Sequence, residues 1–121
     1  MGNPFCHIEL MSQDRSGSAE FYGRLFDWEL VNMPMQNTDQ PYTMINVGEG
    51  TGGGMMQHPE ADQPSAWYPY VGVSDVAATI KQALALGATV IKDKSEVPEH
   101  GWYGVIADPN GAVIGLWENR E

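Results

Sequence analysis

The chain has 121 residues, 42% of them apolar, and sixteen acidic residues against six basic give a net charge of -10. That length buries one core and is short for two ordinary domains, and the acidity, with no Lys/Arg cluster, argues against nucleic acid and anionic membranes, which need a positive footprint. No apolar run approaches the roughly 20 residues of a bilayer crossing, the first ten residues lack a basic and then apolar leader, and the lone Cys6 forms no internal disulfide, so a cytoplasmic protein is expected, with Cys6 as packing.

Residues 5–11 alternate, with Cys6, Ile8 and Leu10 on one face and Phe5, His7, Glu9 and Met11 on the other, the period of a half-buried strand. Residues 12–17 are rich in capping side chains, and Ala19, Tyr22, Leu25 and Phe26 then recur at helical spacing. Strands are predicted over 28–31, 42–47 and 53–57, separated by a Met-Pro-Met loop at 33–35 and a glycine-rich turn. The same order follows again. A strand over 67–73 leads to a helix over 76–84 that Gly87 stops, and strands over 89–92, 102–107 and 112–117 complete the second half, the last two joined by Asp108-Pro109-Asn110-Gly111.

Laying one half on the other puts Gly48 on Asp108 and residues 26–30 on 86–90, a shift of 60 positions, which marks an internal repeat. The expected fold is therefore α+β: one domain of two tandem βαβββ modules, about 4–57 and 67–118, joined by an aperiodic linker over 58–66. Such a duplication packs its helices on one side of a mixed and antiparallel sheet and curves the other side around a pocket. A dimeric ferredoxin-like barrel is the rival fold and predicts no repeat of this length.

Three segments carry a family resemblance: residues 19–28 (Ala-Glu-Phe-Tyr-Gly-Arg-Leu-Phe-Asp-Trp) after the first strand, residues 85–90 (Ala-Leu-Gly-Ala-Thr-Val), and residues 107–112 (Ala-Asp-Pro-Asn-Gly-Ala) before the last strand. In that order and spacing the chain resembles the vicinal oxygen chelate superfamily, the glyoxalase, bleomycin-resistance and dioxygenase proteins, over nearly its whole length. The resemblance implies a test for metal. Metal-dependent members place one ligand on the first and one on the last strand of each half. His7 passes as a first-strand ligand. Its counterpart falls on Trp67 or Tyr68, neither a usual ligand for a divalent ion, and the last-strand positions fall on Gly115, which has no side chain, and, through the 60-residue shift, Met55, whose thioether is too soft for a hard divalent site. One retained ligand position does not hold a catalytic metal, since such sites need at least three protein donors. No cofactor is expected; the route left to a metal is a displaced site of His7 and Glu9 joined by His58 or His100.

The candidate catalytic pair is His7 and Glu9, which share a strand face, with the carboxylate orienting the imidazole. Ligand contacts are expected from Tyr68 and Trp102 by stacking, from Met55, Gln57 and Gly115 on the closing strands, and from His100 in a loop over 96–101 that covers the pocket mouth. The reading is a metal-free module binding an aromatic or heterocyclic small molecule, as in the antibiotic-sequestering members it resembles. The alternative is a lyase, isomerase or dioxygenase of the same superfamily, using His7 and Glu9 as acid and base or a displaced metal site, and a third reading is an interaction domain whose own side chains fill the cavity. The resemblance also implies a homodimer, which would cover the edges of the sheet.

Overall fold

The computed structural model describes residues 2–35 and 38–120. They form β1 (Phe5–Ser12), α1 (Arg15–Leu25), β2 (Glu29–Met33), β3 (Tyr42–Asn46), β4 (Gly53–Gln57), β5 (Ala66–Gly72), α2 (Val76–Ala85), β6 (Thr89–Val97), β7 (Gly101–Ala107) and β8 (Val113–Asn119). Two units result, one of residues 7–67 and one of residues 68–120 together with 2–6. Each is a βαβββ module: the first orders its strands β2-β3-β4-β1 and the second β6-β7-β8-β5. In each module the first strand runs parallel to the last and the other pairings are antiparallel, so both sheets are mixed.

The helices begin where an aspartate can serve the free backbone N–H groups of the first turn. Asp14 accepts from Gly17 N and Asp75 from Ala78 N, both at 3.0 Å. Past α2, Gly87 takes φ +102°, a left-handed conformation that releases the chain from the helix at little cost. Gly111, at φ +92°, closes the β7–β8 turn, whose Asp108 carboxylate accepts from Asn110 N and Ala112 N.

Asp14 and Asp75 show the true period of the repeat, 61 positions, and β1, α1, β3 and β4 shifted by 61 fall on β5, α2, β7 and β8. The sequence overlay of Gly48 on Asp108 is thus one residue short. A slip of one residue in a strand turns every side chain to the opposite face, and this has consequences for the site.

Under α1 the first module buries Leu10, Ile45 and Met55, with Ala19, Tyr22, Trp28, Leu30 and Val47 packed around them. Under α2 the second buries Val76, Ile80, Ile106 and Leu116, with Trp102 and Ile114 among the flanking side chains. The linker is tied to its module by Gln13, whose amide nitrogen donates to the carbonyls of Glu60 and Gln63 and whose backbone N–H donates to Ser65 Oγ. Two local expectations are corrected. Strand β6 runs on to Val97, because its ladder with β7 continues to the pair Val97 and Gly101, so the loop expected over 96–101 shrinks to a tight connection. Cys6 is exposed, its thiol pointing to the Tyr70 carbonyl at 3.7 Å, and is not core packing. Among the described residues no helix is long and apolar enough to cross a membrane.

Candidate functional site

Pairing register decides which side chains share the face away from α1. Ile8, Leu10, Gly53 and Met55 point toward the helix, since Leu10 pairs with Met55 and both are in its core. The intervening residues His7, Glu9, Met11, Gly54 and Met56 therefore share the other face, joined through the β3–β4 ladder by Tyr42 and Met44 and, through β2, by Val31 and Met33.

On that face three polar groups converge. The Tyr42 hydroxyl donates to Glu9 Oε1 at 2.6 Å, and His7 Nε2 stands 2.8 Å from the Tyr42 oxygen and 3.1 Å from the same Glu9 oxygen. With the phenol proton directed to Glu9, Nε2 faces two oxygens that can each accept from it when it carries a proton. Glu9 is 5% exposed, and a carboxylate so far from water needs the donors it has. The Tyr42 ring reaches it by lying over Gly54, where a Cβ would overlap the hydroxyl, and it runs nearly parallel to the imidazole at 18°. Tyr42 was not among the residues singled out from sequence; its one signal was the alternation of Tyr42 and Met44 in a predicted strand.

The other expected contacts distribute themselves by face. Met55 is fully buried under α1, and Gln57 accepts from Arg15 N and donates to the Gln13 carbonyl, so both lie on the opposite side of the sheet from His7 and Glu9; the 60-residue overlay had set Met55 where Gly54 belongs. Trp102 packs toward α2, with Lys94 Nζ 5.1 Å and Arg120 Cζ 4.4 Å from its ring centre, again away from the helix-free face. His100 is exposed at the β6–β7 connection, where its carbonyl accepts from Arg120 N. Tyr68 and Gly115 do lie on the helix-free face of the second module. Under the shift of 61, Tyr68, Tyr70 and Tyr103 match His7, Glu9 and Tyr42, and Gly115 matches Gly54. The rings of Tyr68 and Tyr70 are 6.0 Å apart and those of Tyr70 and Tyr103 6.4 Å, so the second module is aromatic where the first is polar.

A divalent ion of the kind the resemblance implies does not fit these residues. The first- and last-strand positions are His7 and Gly54 in one module and Tyr68 and Gly115 in the other, and a Cβ on Gly115 would come within 2.5 Å of the Tyr70 ring. Space for a last-strand donor is thus occupied by a tyrosine in both modules. Among the described residues no three or more His, Cys, Asp or Glu are grouped to hold a metal; His58 and His100 do not join His7 and Glu9.

Sequence identifies relatives over most of the chain. It is 29% identical over 114 residues to CFP32 of Mycobacterium bovis, whose name marks it as a suggested glyoxylase, and 28% identical over 124 residues to the anthracycline biosynthesis protein DauV of a Streptomyces species. These matches cover 92% and 91% of this chain, which spans 44% and 45% of the relatives' length. Among solved structures, protein BH1468 of Bacillus halodurans superposes with a TM-score of 0.73 at 15% identity, covering 100% of this chain and 97% of that one. Methylmalonyl-CoA epimerase of Mycobacterium tuberculosis superposes with a TM-score of 0.71 at 16% identity, covering 97% and 88%, and the two establish the fold. Residues 7–116 match the glyoxalase-like domain, and the chain belongs to that family of the vicinal oxygen chelate superfamily.

Proposed function

We propose that the helix-free face of the first module is a small-molecule site whose ligand is a flat aromatic or heterocyclic compound bearing a polar substituent, held without a divalent metal. The observation that carries this reading is the Glu9–Tyr42–His7 cluster, a polar centre set among Met11, Met44 and Met56. Thioether side chains adapt to varied outlines and pack well against ring edges. The cluster offers a substituent an acceptor, the carboxylate, and a donor where a ligand oxygen replaces Glu9 as the partner of the phenol or imidazole. The relative named for anthracycline biosynthesis supports the same ligand class, because an anthracycline is polycyclic and aromatic.

A thermal-shift screen of phenolic and heteroaromatic compounds, followed by calorimetry, tests this. A binder is expected to weaken about tenfold, the worth of one hydrogen bond, in Tyr42→Phe and to be unaffected by Trp102→Ala. Binding unchanged in Tyr42→Phe and His7→Ala would remove the face from consideration.

A second reading, acid–base isomerase or lyase chemistry, gains from the same cluster, since Tyr42 adds a further proton-carrying group to His7 and Glu9. Deuterium exchange into the α-carbon of a bound carbonyl compound separates it from simple binding. We also propose a homodimer: β2 and β6 end their modules' sheets with an unpaired edge, and a sedimentation mass of one chain would refute it.

A further inference from the structure

We infer that Tyr42 and Gly54 together exclude a divalent ion from the first module, Gly54 offering no donor and the Tyr42 ring filling the space one would need, with its hydroxyl as the partner of His7. The inference rests on the reading of this face as the site, and it adds the cause of metal independence. Three features lead to it. His7 Nε2, the atom that would coordinate, already faces the Tyr42 oxygen at 2.8 Å and Glu9 Oε1 at 3.1 Å. The triangle of nitrogen and two oxygens is closed by the 2.6 Å bond from Tyr42 to Glu9, so an ion entering it has to break that bond and the contacts of His7 Nε2. Finally, the Tyr42 ring lies on Gly54, and Gly54 pairs directly with Glu9. A carboxylate at position 54 would be the third donor beside His7 and Glu9, the minimum for a stable site, and the ring stands in its place.

The geometry thus separates two conditions for metal: a donor on Gly54 and removal of the ring above it. Cobalt(II) titration of the untagged 121-residue chain, followed by visible absorbance and by metal analysis after dialysis, tests both conditions. Wild type, Gly54→Glu and Tyr42→Ala are each expected to retain less than about a tenth of an ion per chain, taking three donors as the threshold. The double variant Tyr42→Ala with Gly54→Glu is expected to retain about one ion per chain, to gain d–d absorbance and to lose both on adding His7→Ala.

Stoichiometric cobalt in wild type, lost in His7→Ala, would overturn the inference. So would a double variant with a cooperative melt that binds none. Ring-ligand binding by wild type is scored independently. A wild type that binds both cobalt and ring ligands would refute metal exclusion and leave the ligand site standing, whereas a wild type that binds neither would refute the ligand site alone.

Discussion

Removing the Tyr42 hydroxyl while keeping its ring isolates the interaction on which the site is built. In Tyr42→Phe the ring still covers Gly54 and still stacks along His7, but Glu9, 5% exposed, loses a donor at 2.6 Å. Hydrogen bonds to charged groups contribute about 1.5–3 kcal/mol, and the carboxylate left behind is too buried for water to replace the bond in full. A loss of about 2 kcal/mol is expected, which for a domain of this size lowers Tm by roughly 6–10 °C. Urea unfolding followed by far-UV circular dichroism measures it, with Glu9→Gln and the double variant completing a cycle. A coupling of at least ~1 kcal/mol is expected between the two positions, because Tyr42→Phe removes the donor of this bond and Glu9→Gln removes the charge that strengthens it. If Tyr42→Phe unfolds within about 0.5 kcal/mol of wild type with an unchanged m-value, the carboxylate does not depend on the phenol and the reasoning fails.

Three further outcomes follow from neighbouring features. Gly53→Ala is expected to cost more than Gly54→Ala, by about 1 kcal/mol or more in urea melts, because a Cβ at 53 overlaps the Ile8 carbonyl of the paired strand, whereas one at 54 meets the Tyr42 side chain, whose displacement costs its bond to Glu9 but leaves the ladder in place; equal costs would refute the distinction. Arg15 is 7% exposed at the position matching Val76, its Nη1 donating to Thr43 Oγ1 while Nε has no hydrogen-bond partner among the described residues, so Arg15→Met is expected to leave stability unchanged or raise it by about 1 kcal/mol; a loss above ~2 kcal/mol would refute the reasoning and show that the guanidinium stabilises the core. Although Cys6 is exposed, partial desolvation of its thiol raises its pKa above the ordinary value, which lowers its thiolate fraction, so alkylation at neutral pH is expected to run slower than for a free thiol and to accelerate as the pH is raised; a rate equal to that of glutathione, read by mass spectrometry, would contradict this.

The local rules of the chain were legible from residues alone. Alternation over 5–11 marked β1, aspartates and glycines marked where helices and turns begin and end, and the similarity of the halves marked a duplication, because each depends on neighbours a few positions apart. His7 and Glu9 were visible for the same reason, two residues apart on one strand. What the sequence left undecided was which face each strand presents. That depends on the register between strands far apart in the chain, and a repeat of 60 or 61 positions reads almost equally well along the sequence while exchanging Met55 for Gly54 at the site. Only the tertiary structure brings Tyr42 across from β3 to Glu9, turns Trp102 toward α2 and sets Arg15 in a core position, because these placements follow from packing between elements, and a tyrosine, a tryptophan or an arginine has no local pattern that states what it will face.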